Sequence, residues 1–232
     1  MTTDTMTDDE IAAHHAAVAE RWDEINASDV IAHKVEIINR RAIPLKVAHD
    51  KHLNALFKSP RSTHAKIEGV WKAVDEVTAI AKPHAACRRG CGHCCHQCVL
   101  LSEQEAELIG KRIGVKPKQV VGITDRDDVK AGYDNPCPFL KNDECSIYEH
   151  RPLACRQQMN LDRDPLLCKP IGEMNKVPYL NLFEYTTALA MITTKRDEIT
   201  RRNPRTGLTE PGTKMTAPNV GDIREFFPRG RR

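Results

Sequence analysis

Cysteine density is the feature that most constrains how this chain can fold. Five cysteines fall within twelve residues, and four more follow downstream. They are Cys87, Cys91, Cys94, Cys95 and Cys98, then Cys137, Cys145, Cys155 and Cys168. Four thiolates complete one structural zinc site or hold one cubane iron–sulfur cluster, so nine are enough for two such sites. The spacing therefore predicts a fold organised around bound metal.

Disulfide bonds would be a different use of so many cysteines. Disulfide-rich chains are usually short and secreted, and they begin with an apolar leader. Residues 1–10 are polar and acidic here. The chain also lacks a run of about eighteen apolar residues that could cross a membrane. We therefore expect a cytoplasmic protein with no membrane segment, in which the thiols stay reduced and serve as metal ligands.

Apolar periodicity predicts helices on both sides of the cysteines. Residues 63–81 carry an apolar stripe at helical spacing, and a capping box of Ser102 and Glu105 begins a later helix. Two earlier helices are expected, the second interrupted at Pro44, and one more over residues 180–199. The predicted fold class is mainly α, with helices packed around an irregular cysteine-rich metal-binding core and few or no strands.

This pattern divides the chain into four parts. Residues 1–85 are expected to form a helical N-terminal region, and residues 86–170 a cysteine-cluster metal-binding domain. Residues 171–202 are expected to supply a C-terminal helix that packs on the core. Residues 203–232 are rich in Pro, Gly, Thr and Arg, which predicts a flexible basic tail.

The charge pattern argues against a nucleic-acid partner. The formal net charge is only +3 at pH 7, and aromatic residues make up 5% of the chain. Binders of nucleic acid usually concentrate basic side chains and stacking aromatics on one face. The short basic stretch from Lys111 to Lys118 follows three glutamates, which favours a solvated helix face. The partner that the sequence predicts is a metal ion or cluster, and it identifies no protein partner.

Four sequence elements resemble the YkgJ-type cysteine-cluster family. They are Cys87-x3-Cys91-x2-Cys94-Cys95, the helix start Leu101-Ser-Glu-Gln-Glu105, Cys137-Pro-Phe-Leu, and Cys145-Ser-Ile-Tyr-x2-Arg151-Pro-x2-Cys155-Arg156. That family is described as zinc- or iron-chelating proteins, widespread in bacteria and also found in phages, and its name does not record an established activity. The resemblance covers residues 86–156. Spacing and resemblance together assign the metal ligands as Cys87, Cys91, Cys94, Cys95, Cys137, Cys145 and Cys155, with Cys98 and Cys168 as secondary candidates outside the pattern.

The identity of the metal is left open between zinc and iron. Structural zinc sites usually pair their cysteines as C-x2-C, whereas a C-x3-C-x2-C loop can wrap three corners of a cubane. The iron option is therefore a [4Fe–4S] cluster. Cys94 and Cys95 are adjacent, so their side chains diverge. Either two metal centres, or one centre and a buried thiol, would accommodate this pair.

The predicted function is metal binding through clustered cysteines, with no reaction and no catalytic residue assigned. An iron–sulfur enzyme linked to S-adenosylmethionine (SAM) stays open, because Cys87-x3-Cys91-x2-Cys94 has the radical-SAM spacing. The helix that precedes it does not fit the β/α barrel of such enzymes. The cysteines are also compatible with a methyl-transfer accessory, similar in its cluster to flagellin lysine N-methylases, and with a zinc-stapled protein or nucleic-acid interaction module. Whether the chain is an enzyme is not decided by its sequence.

Overall fold

Three long helices form the N-terminal third of the chain. The computed structural model describes residues 6–172, 175–203, 205 and 207–229. The helices are α1 (Asp8–Asn26), α2 (Val30–Lys58) and α3 (Thr63–Ala81). A capping box begins α1, in which the Thr7 hydroxyl accepts the Glu10 N–H and the Glu10 carboxylate accepts the Thr7 N–H. The described residues confirm that this part of the chain is helical.

Shorter elements follow the three helices. In chain order they are β1 (Leu100–Ser102), α4 (Glu103–Ile113), β2 (Leu140–Lys141), β3 (Glu144–Cys145), α5 (Leu153–Gln157), α6 (Phe183–Thr193), β4 (Lys195–Arg202), β5 (Thr209–Thr216), β6 (Val220–Asp222) and α7 (Ile223–Phe226). The strands pair antiparallel, β1 with β6, β2 with β3 and β4 with β5. Of the described residues, 52% lie in helices, 3-10 turns included, and 12% lie in strands, so the fold is mainly α, as predicted.

Helix α3 lies at the centre of the core, because its apolar stripe is buried. The side chains of Ile67, Val70, Val74 and Val77 are fully buried. α3 packs against α2, α4, α5 and α6. The Ser62 hydroxyl caps its first turn by accepting the N–H of Ala65. α3 therefore joins the N-terminal helices to the helices that flank the cysteines.

Helix α4 begins at the predicted cap, and the Glu105 of that cap has further partners. The Ser102 hydroxyl accepts the Glu105 N–H, as expected of the first half of a capping box. The Glu105 carboxylate also accepts hydrogen bonds from the Trp71 indole and from the Leu153 N–H. Glu105 thus links α4 to α3 and to the start of α5.

A tight hairpin carries two of the downstream cysteines. Strands β2 and β3 pair Leu140 with Cys145 and are joined by Asn142 and Asp143, whose φ angles are 49° and 59°. Positive φ at both turn positions is the geometry of the two-residue turns that match strand twist, and Asn and Asp tolerate it well. Cys137 adjoins the hairpin because the N–H of Leu140 donates to its carbonyl.

Pro44 does not interrupt α2, and that prediction is wrong. The helix runs through the proline without a break. Proline removes one helical hydrogen bond and costs about 3 kcal/mol inside a helix. Residues on both sides of it are buried, including Ile38 and Ala42 before it and Leu56 after it. Packing of this face against α3 offsets the local cost.

The structure also corrects the C-terminal segment. The helix expected over residues 180–199 spans only Phe183–Thr193, and the chain then continues as β4. The expected flexible tail is wrong for its described residues, which form β5, β6 and α7. Ile223, Phe226 and Phe227 are buried in the main core, so this segment is part of the fold. Residues 204, 206 and 230–232 of the expected tail lie outside the described residues.

Candidate metal centre

The first cysteine segment is an irregular loop fixed by its own backbone. The N–H of Ala86 donates to the Asn160 carbonyl at 2.8 Å, and the N–H of Cys91 donates to the Arg88 carbonyl at 3.1 Å. A short 3-10 helix then covers His93–His96. Gly90 has a φ of 80°, a left-handed conformation that favours glycine and lets the loop reverse between the first two cysteines.

Gly92 brings this loop against the β2–β3 hairpin. A side-chain carbon at Gly92 would lie 3.0 Å from the Leu140 Cδ1 atom and 3.1 Å from the Asp143 carbonyl oxygen. A larger residue would force these neighbouring atoms to shift by a few tenths of an ångström. Glycine lets the two backbones approach closely without that shift.

The two cysteine-rich segments meet at Cys95 and Cys137. The N–H of Cys137 donates to the Cys95 carbonyl at 2.6 Å. The Cys95 thiol also donates hydrogen bonds to the sulfurs of Cys137 and Cys94, which raises the pKa of Cys95. The same bonds lower the pKa of Cys94 to about 7 and also lower the pKa of Cys137, because a donor stabilises the thiolate.

Cys145 and Cys155 both lie near Cys94 and Cys137. Burial raises the pKa of both thiols, and the neighbouring sulfurs of Cys94 and Cys137 raise it further through charge repulsion. A group of thiols that resist ionisation together will ionise when a cation compensates their charge. A bound metal ion supplies such a cation and so favours the thiolate form of these cysteines.

Cys87 and Cys168 lie around Asn160. The Asn160 main-chain N–H lies 3.4 Å from the Cys87 sulfur, and its side-chain nitrogen Nδ2 lies 3.3 Å from the Cys168 sulfur. Burial raises the pKa of Cys87, and it raises the pKa of Cys168 to about 12. In both cases the sulfurs of Cys91 and Cys94 act as neighbouring charges.

Cys98 lies apart from this arrangement. It is buried, and burial raises its pKa to about 11. The charged groups beside its sulfur are Asp222 and Arg126. Of the two secondary candidates, only Cys168 is therefore placed among the assigned cysteines.

Arginines from several segments surround the thiols. Arg151 supplies positive charge that lowers the pKa of Cys94. Arg224 donates to the carbonyls of Cys95 and Gln97 at 3.3 and 3.2 Å, and Arg229 donates to the Cys137 carbonyl at 3.1 Å. These contacts are not predicted from the sequence, because the composition of residues 203–232 predicts a flexible basic tail.

Arg156 has a structural task rather than an electrostatic one at the thiols. Its guanidinium group pairs with Asp75, donates to the carbonyls of Arg151 and Glu149, and stacks 4.6 Å from the Trp71 ring centroid. These contacts fasten α5, which carries Cys155, to α3. The Arg side chain suits this place because it presents five donors in a rigid plane.

The histidines of the loop have partners outside the thiols. The His93 Nδ1 atom lies 3.4 Å from the Tyr133 hydroxyl, and the His96 Nδ1 atom lies 3.2 Å from the Gly132 carbonyl. The His96 ring also packs 4.5 Å from the Tyr133 ring. Both histidines therefore fix the loop near residue 133.

The donor set fits zinc or iron by its chemistry and by its grouping. Eight cysteines, all except Cys98, are linked through contacts or shared electrostatic neighbours, and sulfur is the donor that both metals accept. Among the described residues, however, no three His, Cys, Asp or Glu side chains are already arranged to hold a metal ion. The thiols would have to rotate from their mutual hydrogen bonds toward a common centre.

The fold and the site together define a mainly α-helical chain with a thiol-rich centre. Residues 86–178 match the CxxCxxCC family model, described as "Putative zinc- or iron-chelating domain". The match is to the same family that the sequence elements resemble, and it covers residues 86–178. Neither the curated proteins nor the solved structures gave a match. None of the described helices combines the length and apolar character that a membrane span requires.

Proposed function

We propose that this protein binds zinc or iron through Cys87, Cys91, Cys94, Cys95, Cys137, Cys145 and Cys155. The observation that carries the proposal is the junction of Cys95 with Cys137, where backbone and sulfur contacts join two segments separated by more than forty residues. A bound metal would supply positive charge that converts these thiols to thiolates and cross-links the segments.

The surroundings of the thiols support a structural contribution from the metal. Between α4 and α6 the described residues contain only 3-10 turns, the five-residue helix α5 and a two-residue strand pair. Such a segment gains little stability from regular hydrogen bonding, and metal–sulfur bonds can replace a missing apolar core. We therefore expect metal binding and folding of residues 86–178 to be coupled.

A cytoplasmic location follows from the same chemistry. All nine cysteines are free. Free thiols and metal–thiolate sites persist in reducing compartments, whereas secreted proteins oxidise them. The proposal therefore includes a reducing environment, which labelling of the thiols in intact cells before lysis would test. Thiols that resist labelling until the metal is chelated would support it, and disulfide-bonded cysteines would contradict it.

Metal and acid-labile sulfide analysis, with a visible spectrum, on protein purified without oxygen tests the central proposal. Zinc without sulfide would identify thiolate-bound zinc. Iron with equimolar sulfide and a brown absorption band would identify an iron–sulfur cluster and lead to tests of redox or SAM-linked chemistry.

Substitution of single cysteines supplies the matched comparison. Cys95→Ser removes the thiol that contacts both Cys94 and Cys137, so we expect a loss of bound metal. Cys98→Ser removes a buried thiol beside Asp222 and Arg126, and we expect it to keep the full metal content. Equal metal content in Cys95→Ser, Cys98→Ser and the unsubstituted chain would refute the ligand set. Protein free of both metals after reconstitution would refute the function.

A further inference from the structure

We propose that the thiols form two separate metal sites, and that Cys168 completes the first of them. This Asn160 set consists of Cys87, Cys91, Cys94 and Cys168. The remaining hairpin set consists of Cys95, Cys137, Cys145 and Cys155. The inference rests on the proposed function, and it adds an eighth ligand, a division of the ligands and a positioning role for Asn160.

Asn160 is the geometric basis of the Asn160 set. This residue is only 1% exposed, and it offers one donor to each of two sulfurs, its backbone N–H to Cys87 and its Nδ2 atom to Cys168. Its carbonyl accepts the N–H of Ala86, directly before Cys87. A single buried residue therefore contacts both Cys87 and Cys168, the first and last members of the set, which are 81 positions apart in the sequence. Amide donors aimed at sulfur stabilise thiolates and orient ligands.

The segment that carries Cys168 is held as firmly as the loop before it. The Asp162 N–H donates to the Asn160 side-chain oxygen at 2.9 Å, and the Asp164 carboxylate accepts the N–H of Leu166 at 2.8 Å. Arg21 of α1 binds both aspartates, at 2.6 and 2.9 Å. Cys168 then follows in a 3-10 turn and is itself buried. This local framework positions its sulfur beside the first loop.

The hairpin set has a separate basis in the backbone. Cys137 bonds to Cys95, and the Cys137 carbonyl begins the turn that leads through β2 to Cys145 on β3. Cys155 comes from α5, and the sulfurs of Cys94, Cys137 and Cys145 act as charged neighbours of its thiol. These contacts form on the side of the loop where Gly92 touches the hairpin.

The adjacent pair Cys94 and Cys95 is explained by this division. Both lie in the 3-10 helix His93–His96, where three residues complete a turn. Successive side chains therefore point about 120° apart, and one can serve each set. Cys94 acts as a charged neighbour of Cys87 and Cys168 and also of Cys145 and Cys155. Cys94 therefore lies at the boundary between the two sets, and it falls to the Asn160 set because Cys95 is joined to Cys137 through its backbone carbonyl as well as its sulfur. The hydrogen bond between the Cys94 and Cys95 thiols places the two proposed sites next to each other.

A competing role for Cys168 is that of a small apolar residue of the core. Buried free cysteines often have that role. The hydrogen bond from a buried amide nitrogen to its sulfur favours a ligand, since a purely apolar side chain would leave that nitrogen with one acceptor fewer. Titration with Co²⁺, which takes zinc-type thiolate sites and reports them through charge-transfer absorption, separates the two possibilities.

The expected result is two equivalents of Co²⁺ for the unsubstituted chain and one for Cys168→Ser. Cys155→Ser should also bind one equivalent, and Cys98→Ser should bind two. Cys91→Ser tests the same Asn160 set at a half-buried position, so it answers the question if Cys168→Ser fails to fold. Asn160→Ala should weaken Co²⁺ affinity at the Asn160 set by roughly 10- to 100-fold, because it removes a group that orients the ligands. The affinity of the hairpin set should not change.

Two outcomes would overturn the two-site inference but would still be consistent with the proposed metal-binding function. One is a single equivalent of Co²⁺ in the unsubstituted chain. The other is two equivalents in Cys168→Ser or in Cys91→Ser. A chain that takes up neither Co²⁺ nor zinc nor iron would instead overturn the proposed function itself.

Discussion

At the scale of single residues, the buried carboxylate of Glu105 links three helices, α3, α4 and α5. Its Oε1 atom accepts the Trp71 indole N–H at 3.0 Å and the Leu153 N–H at 2.9 Å. The residue is 2% exposed, so water cannot replace either bond. Leu153 begins α5, which carries Cys155. Glu105 therefore holds one ligand-bearing helix in place from outside the thiol cluster.

Glu105→Ala should destabilise the chain by about 2–4 kcal/mol, because it leaves two buried donors without an acceptor. Glu105→Gln keeps the accepting oxygen and should cost much less. Denaturant unfolding of both variants beside the unsubstituted chain measures the difference. Equal losses in Ala and Gln would show that charge, rather than the two accepted hydrogen bonds, is what matters.

The pH dependence of stability gives a second test of Glu105. Burial raises its pKa above the ordinary value of 4.5, although the hydrogen bonds from Leu153 and Trp71 oppose the rise. The folded chain therefore binds this proton more tightly than the unfolded chain does. The resulting stabilisation is complete below pH 4.5 and is lost as the pH rises through the folded-state pKa. Relative to Glu105→Gln, the unsubstituted chain should lose unfolding free energy over this range, and a constant difference would contradict the raised pKa.

At the scale of elements, α1 is fastened to the cysteine region by a buried charge cluster. Arg21 binds Asp162 and Asp164, and the Asp162 side chain is 5% exposed. Because the same segment carries Asn160 and Cys168, the N-terminal helices and the proposed Asn160 set share one support.

Arg21→Ala should destabilise the chain by about 3 kcal/mol, since it leaves the buried Asp162 carboxylate without its cation. Arg40→Ala is the matched control. Arg40 pairs with Glu36 at 2.7 Å, but its side chain is 79% exposed, so its loss should cost less than about 1 kcal/mol. Hydrogen exchange should show faster opening of residues 160–168 in Arg21→Ala alone. Similar stability losses in both variants would contradict the buried role of Arg21.

The elements that the sequence predicts well are those whose own residues carry a recognisable pattern, such as an apolar stripe or a capping box. α3 shows a complete apolar stripe, and its predicted bounds are the observed ones. β5 shows no such signal, because a strand containing Pro211 and Gly212 forms only by pairing with β4. α7 did have a readable signal. Asp222 and Glu225 form a capping box beside apolar Ile223 and Phe226, but the basic composition around them suggested a tail.

The same distinction applies within the site. The spacing of the cysteines and the family resemblance are enough to predict the candidate ligands from sequence. The structure brings the two cysteine-rich segments together at Cys95 and Cys137. Asn160 and Arg224 could not be found this way. Asn160 contacts Cys87 at a sequence separation of 73 residues, and Arg224 contacts Cys95 at a separation of 129. Neither Asn nor Arg has a characteristic spacing that predicts such long-range contacts.

At the scale of the whole molecule, the β4–β5 hairpin stands apart from the core. Every residue of β4 is exposed, and most of β5 is too. It meets the rest of the molecule near its base, where Lys195 pairs with Glu103 at 2.9 Å and Arg196 stacks on Phe57. An isolated two-stranded hairpin adds little stability of its own. β6 and α7, which follow it, are by contrast built into the core.

Removal of the outer hairpin should therefore leave the fold and its metal content intact. Asp197 lies opposite Lys214, so residues 198–213 can be replaced by an Asn-Gly turn that closes the shortened strands. We expect a change in unfolding free energy below about 1 kcal/mol, because surface residues are removed. Truncation after Thr216 is the contrasting variant. It deletes the partner of β1 and the buried Ile223 and Phe226, and it should abolish cooperative unfolding. A large loss on excision alone would show that the hairpin supports the core.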